Sequence, residues 1–252
     1  VDIVGGYEFV NYTLESGNIT FAANSLTQTL TMGTQDSILN LNITESMLTL
    51  TLNANGGEFN GLDPGEWNIS SSGSGGSSQI ATKQVAYGST LDFLPTGNEI
   101  VKTGFTFVGW FTNTDGGGTE YTSSSTMSST ALTLYAYFEA TEYRVTINKT
   151  DASHFSNISA TGTGVRIDGT QSNIFVEYGS SVTLNITMAD GCYIDSATFN
   201  PSLSVSGLTK TKNVTITFTY TLAQDSTLNL ASVMVTYNIT FLSNGGILNG
   251  TN

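Results

Sequence analysis

The chain has little that reacts and little that carries charge. Its 252 residues include one cysteine, one histidine and three prolines, and Asp, Glu, Lys and Arg together make up only 11 %. A lone cysteine, Cys192, excludes an internal disulfide and with it a disulfide-stapled secreted scaffold, though not an extracellular β-rich module that relies on its core. Cys192 reads as a small buried residue at a strand start. His154, following Asp151 in a Ser/Asn-rich stretch, has no second imidazole and no thiol beside it in sequence, so it signals neither a zinc site nor a triad and reads as a solvated loop residue. Seven scattered cations face twenty Asp and Glu, for a formal net charge of −13. Phosphate binding needs clustered Lys and Arg, which argues against nucleic acid and against an anionic membrane surface as partners. No run of about 18 apolar residues occurs and no basic-then-apolar leader opens the chain, so no membrane insertion is expected in this segment, and a signal or anchor is expected outside it.

The remaining chemical motifs are equally sparse. The acidic residues stand apart instead of forming a D-x-D-x-D-G array, so no calcium loop is signalled, and Asp115 in Thr114-Asp115-Gly116-Gly117-Gly118-Thr119-Glu120 reads as part of a hairpin turn. The Ser/Gly run 69–79 lacks the Lys-Ser/Thr and the helix of a phosphate loop and reads as a flexible loop. No catalytic residue, no metal ligand and no cofactor-binding residue is predicted, and an enzyme is not expected.

What is present is apolar strand sequence under a neutral polar surface. Hydrophobic residues make up 38 %, enough for packed cores, and Ser, Thr, Asn and Gly must cover most of the exterior, a surface suited to the outside of a cell. The length fits two or three domains. Alternation of period two runs through residues 39–44, 182–188, 214–218 and 235–241, each with one aliphatic or aromatic face and one Thr/Asn face. Turn sequences separate the strands: Asn55-Gly56-Gly57, Asp115-Gly116, Asp190-Gly191 and Asn244-Gly245-Gly246. Only Ser89 to Leu94 suits a helical turn, so the fold class is all-β. Residues 34–61 return without a gap at 223–250, an interval of 189 residues. Such a period marks a tandem array of strung modules, and the chain reads as starting and stopping inside a unit.

Residues 48–138 carry six spaced elements: the strand Leu48 to Leu52, Asn55-Gly56-Gly57, Val85-Ala86-Tyr87-Gly88-Ser89, Leu94-Pro95, Gly104-Phe105-Thr106-Phe107-Val108-Gly109-Trp110, and the strand Leu132 to Phe138. This order resembles the Listeria-Bacteroides repeat, the internalin-type B repeat of microbial surface proteins. Two departures are the Ser/Gly insertion before Val85 and Phe138 at a position where the family more often has Trp. The resemblance implies a small β-grasp-like domain, a spacer or interaction role on a cell surface, and no catalytic residues. Trp110, Phe105, Phe107, Tyr87 and Phe138 sit at alternating strand positions and read as an aromatic core, while Gly109 allows a bend or a close approach. Residues 143–232 resemble a divergent copy, in which Gly191-Cys192-Tyr193-Ile194 replaces the G-Y-x-F segment. The division expected is 1–46, the trailing half of a divergent domain; 47–140, a B-repeat domain; 141–232, a divergent domain; and 233–252, the leading strand of a further repeat.

Asn-x-Ser/Thr acceptors occur at Asn11, Asn18, Asn42, Asn68, Asn148, Asn157, Asn185, Asn213, Asn238 and Asn249, a modest excess over the roughly six that this composition gives by chance. In 42–44, 185–187 and 238–240 the alternation predicts Asn and Thr outward with Ile inward, so these asparagines are expected to be reachable. The function expected is a non-enzymatic, extracellular, cell-surface structural repeat, polymeric and N-glycosylated, in a stalk, filament or envelope layer. The alternative is an adhesin module binding a glycan or protein receptor, which an exposed aromatic cluster or apolar patch would distinguish. Because 1–46 and 235–252 cannot each close a core, strand pairing with neighbouring copies is expected at Gly6 to Tyr12 and Val235 to Leu242.

Overall fold

The computed structural model describes residues 2–72 and 78–240. The chain divides into two compact units, Val1–Glu139 and Ala140–Asn252. Both are all-β, and the one helical element among the described residues is a 3₁₀ turn, Ala152–His154.

Unit 1 opens with an antiparallel hairpin of β1 (Tyr7–Ser16) and β2 (Ile38–Glu45). It continues with β3 (Met47–Asn53), β4 (Glu58–Phe59), β5 (Asn68–Ser72), β6 (Ser78–Ala86), β7 (Ile100–Val101), β8 (Phe105–Phe111), β9 (Glu120–Tyr121) and β10 (Leu132–Ala140). Six of these form one sheet in the order β5-β6-β3-β10-β8-β9, and β4 pairs β7 separately. In β3 the alternation of Leu with Thr puts Leu50 and Leu52 fully inside, as a period-two strand with one buried face requires. Their parallel partners, Leu132 and Leu134 of β10, are buried beside them.

Unit 2 consists of β11 (Glu142–Lys149), β12 (Phe155–Thr161), β13 (Val165–Ile167), β14 (Asn173–Glu177), β15 (Ser181–Met188), β16 (Cys192–Asn200), β17 (Asn213–Thr219) and β18 (Ser226–Met234). These make a five-stranded sheet, β13-β14-β11-β18-β16, and a three-stranded sheet, β12-β15-β17. One apolar cluster draws Val145, Ile147, Leu228 and Leu230 from the first and Ile158, Leu184, Ile186 and Ile216 from the second.

The two units share a frame. In each, one central strand, β3 or β11, pairs antiparallel with a neighbour on one side and parallel with the unit's last described strand on the other, β3 with β10 and β11 with β18. In each, a Tyr-Gly-Ser segment makes the same clasp. Gly88 N donates to Met127 O and Met127 N to Ser89 O; Gly179 N donates to Tyr220 O and Tyr220 N to Ser180 O. Gly88 and Gly179 both have positive φ, 75° and 84°, a conformation that carries little cost only for glycine.

The Asn55-Gly56-Gly57 signature has a physical reason. Asn55 sits at φ 49° and its amide donates to Thr114 O (2.8 Å) and Ala136 O (2.9 Å), fastening the turn to β10. A Cβ on Gly57 would lie 2.8 Å from the Phe138 ring and from Val101 O, so only glycine lets the turn settle there.

Several sequence expectations are corrected. The segment 69–79 is not a loop throughout: β5 pairs β6 from Asn68 opposite Thr82 to Ser72 opposite Ser78, because main-chain ladder bonds need no apolar side chains; residues 73–77 lie outside the described residues. Ser89 to Leu94 makes no helix but a turn in which Leu94 N donates to Leu91 O. Phe107 is half-buried. Tyr87 leaves the core and meets Tyr7 edge-on at 5.3 Å, with Gly6 packed so closely that a Cβ there would lie 2.5 Å from the Tyr87 ring. A Cβ on Gly109 would meet the side chains of Glu120 and Phe111 at 3.2 Å, a close approach by side chains and not by backbone.

Candidate functional site

The most regular polar surface is the outer face of β12-β15-β17. Each strand carries one acceptor triplet: Asn157-Ile158-Ser159, Asn185-Ile186-Thr187 and Asn213-Val214-Thr215. The central residues Ile158, Ile186 and Val214 are 1 %, 1 % and 2 % exposed, and the pleat therefore turns all three asparagines outward; all three are exposed. The register interleaves them. Asn157 and Asn213 both stand opposite Thr187, while Asn185 stands opposite Ser159 and Thr215. Asn185 accepts from Thr215 Oγ1 (3.0 Å) and Asn157 from Gln171 Nε2 (3.0 Å), both through Oδ1, an arrangement that leaves the amide nitrogen for modification.

The other acceptors differ. Asn18, Asn68, Asn148 and Asn238 are exposed, and Asn249 lies outside the described residues. Asn18 and Asn148 commit Nδ2 to Thr34 and Asn229. Asn11 and Asn42 are half-buried and bonded to each other at 2.7 Å. For 42–44 the expected burial of Ile43 is not met, since Ile43 is 46 % exposed while Asn42 is half-buried, and Asn238 lies outside any strand. Sugar in material from the natural source is therefore expected first on Asn185, Asn157 and Asn213 and not on Asn11 or Asn42. Glycopeptide mapping checks this, and occupancy of Asn42 with Asn185 bare would reverse the ranking.

His154 is not solvated. Its side chain is 15 % exposed, with Nδ1 3.0 Å from Ser232 Oγ and Nε2 3.5 Å from Asp151 Oδ2. This assembles Asp, His and Ser, which the sequence hid because Ser232 lies 78 residues away. The geometry suits a structural pin. The Asp151 carboxylate is held by the Ser153 hydroxyl (2.6 Å) and amide (2.9 Å), which lower its pKa, and Ser232 Oγ is shared with Thr150 Oγ1. A nucleophile is activated when the base's second nitrogen is firmly oriented, and here that contact is the long one.

Cys192 is buried at the start of β16. Asp115 accepts from Gly117 N at 3.0 Å and so serves the turn. Among the described residues no three His, Cys, Asp or Glu side chains gather to hold a metal ion, and no helix is long and apolar enough to cross a membrane. A shallow groove of about 720 Å³ lies along Gly56, Lys102, Phe105 and Phe107; Lys102 Nζ sits 4.6 Å over Phe105 and donates to Asn55 O, covering aromatic surface instead of offering a free cation. Exposed apolar side chains concentrate on the β1–β2 hairpin, at Tyr7, Val10, Leu14, Ile38, Leu41 and Ile43.

In unit 1 the recurrent motifs converge on one aromatic side chain. Trp110 is 2 % exposed, donates from Nε1 to Pro95 O at 2.8 Å and packs on Phe59 and Phe107, which joins the Leu94-Pro95 and Gly109-Trp110 elements into one core. These features define a small all-β repeat domain. Residues 67–137 match the family model of the Listeria-Bacteroides repeat domain, a family associated with surface proteins. No curated protein and no solved structure matches the chain.

Proposed function

We propose that the chain is a non-enzymatic structural segment of an extracellular surface protein, a stalk, fibre or envelope layer built from β-grasp-like domains at 47–140 and 141–232. The residues flanking them, 1–46 and 233–252, are then parts of further units. Outward asparagines of the β12-β15-β17 face carry sugars that screen it from other strands, and the acidic exterior keeps the assembly soluble.

The observation that carries this reading is the parallel pair of first and last strands at the centre of each sheet. Tension along the chain enters at the start of β11 and leaves at the end of β18, which lie at opposite ends of a parallel pair. The pull then runs along the strands and loads the whole ladder at once, whereas a pull at one end of the pair would peel it bond by bond. A tether benefits from the first geometry.

Single-molecule pulling tests it. Handles at Glu142→Cys and Met234→Cys shear the pair; handles at Glu142→Cys and Gln224→Cys peel it. The sheared arrangement is expected to unfold at clearly higher force, releasing a contour length of roughly 300 Å at about 3.3–3.6 Å per residue. Equal forces in the two arrangements would remove the mechanical reading.

A further inference from the structure

The turn after β3 joins Asn55 to Gly56, a pair in which the main-chain nitrogen reaches the side-chain amide with least obstruction, because glycine has no Cβ. In that reaction the Gly56 nitrogen attacks Asn55 Cγ, the Cγ–Nδ2 bond breaks, and ammonia leaves with the proton that the Gly56 N–H gives up. Water then opens the cyclic imide at either carbonyl, to aspartate or isoaspartate. An open chain sets no barrier of its own to these steps. In the folded unit both nitrogens are engaged. Asn55 Nδ2, the leaving nitrogen, donates to Thr114 O and Ala136 O at 2.8 and 2.9 Å. Gly56 N, the nucleophile, donates to Ser78 Oγ at 3.2 Å. Asn53 Oδ1 accepts from Ser78 Oγ (2.6 Å) and from Asn55 N (2.9 Å), so the serine that holds the nucleophile is itself held.

Asn60-Gly61 is the same pair without these restraints. Asn60 is exposed, its Nδ2 reaches Asn98 O only at 3.4 Å, and a Cβ on Gly61 would have nothing within 4 Å. We infer that Asn55 is a latent deamidation site, protected while unit 1 is folded and converted when the unit is held open, and that its conversion keeps the turn from forming again. The products account for the second half. Aspartate sets an oxygen where Nδ2 was, against two carbonyl oxygens, one of them on Ala136, which is 0 % exposed; buried acceptors left without their donor cost stability. Lys102 Nζ, 3.4 Å from Asn55 O, draws the new carboxylate away from both carbonyls. Isoaspartate lengthens the main chain by a methylene next to Gly57, where even a Cβ would lie 2.8 Å from the Phe138 ring. An opening that outlasts the reaction therefore becomes permanent, and unit 1 carries a chemical limit on the time it can spend unfolded.

The test uses the 252-residue chain, kept folded or in urea at the same mildly alkaline pH and sampled over time. Cleavage after Glu45, Glu58 and Glu66 places Asn55 and Asn60 on separate peptides, whose gain in mass reports conversion. Asn55 is expected to convert at least about tenfold more slowly in the folded chain than in urea, since it reacts there only through opening of the turn, and Asn60 is expected to convert ahead of it in the folded chain. On dilution from urea, the fraction of chains that regain the folded emission of Trp67 and Trp110 should fall in step with conversion of Asn55. Asn55→Asp is expected to lower the urea midpoint of unit 1, or to leave that unit unfolded, with unit 2 unchanged, whereas Asn60→Asp leaves both midpoints in place. Equal Asn55 rates in the two states, full recovery of tryptophan emission after Asn55 has converted, or an Asn55→Asp midpoint equal to that of the unmodified chain would overturn the inference.

Discussion

Replacing Trp110 with alanine is expected to unfold the core of unit 1 and leave unit 2 standing. The side chain is 2 % exposed, its indole N–H is bonded to Pro95 O, and it packs on the rings of Phe59 and Phe107. Truncating a buried Trp costs about 3–5 kcal/mol, a large share of the about 5–15 kcal/mol that holds a domain folded. The chain offers a clean readout, because both tryptophans, Trp67 and Trp110, lie in unit 1. Emission from Trp67 in a urea titration of Trp110→Ala should shift early, while the transition followed by amide exchange in β15 and β18 should not move. Trp110→Phe, which keeps the ring and loses only the N–H, is expected to cost less than half as much. A single transition in which both signals move together would contradict independent units.

The second large effect is expected in the parallel ladder of unit 2. From Thr227 to Leu230 β18 has a neighbour on each side, β11 and β16, so the Asn229 N–H serves one ladder or the other. Asn229→Pro removes such a donor and places a ring where a central strand has no room, a loss of about 1–3 kcal/mol for the unsatisfied ladder acceptor with the ring's clash added to it. Asn229→Ala keeps the backbone donor and gives up only the exposed side-chain contact with Asn148, so it should cost about 1 kcal/mol or less. Thermal unfolding followed by calorimetry separates these, and similar losses from both variants would mean that the ladder bond at this position matters little.

Where a strand has one buried face and enough apolar residues, alternation alone reveals it, as for β3, β15 and β17. The clasp at Tyr-Gly-Ser and the Asn-Gly-Gly turn were visible as motifs, but their partners, Met127, Tyr220, Thr114 and Ala136, could not be read, because those bonds close across long stretches of chain. β5 and the start of β6 are hidden in the sequence because Ser and Gly announce turns even where the backbone pairs. Its strand position points Tyr87 inside, yet the N-terminal hairpin offers it Tyr7 and the space over Gly6. Alternation points Ile43 inward, but it fixes only the face a residue shares and not whether anything covers that face. The asparagine face of β12-β15-β17 was partly legible. Each triplet could be read separately, but nothing in the sequence says that three triplets lie on adjacent strands.

The parallel pairing of first and last strands also sets the order in which a unit can be made. Asn148 and its partner Asn229 are 81 residues apart, and a contact so distant carries a loop-closure cost and slows folding compared with local hairpins. Until β18 has left the ribosome, β11 has only β14 on its other edge, and the unit is a set of incomplete pairings. Each unit is thus finished by its last strand and cannot mature before it. In a tandem chain this turns synthesis into a sequence of closures, one unit sealed before the next has its first strand in place, so that two neighbouring, similar units seldom have unpaired strands to exchange at the same moment.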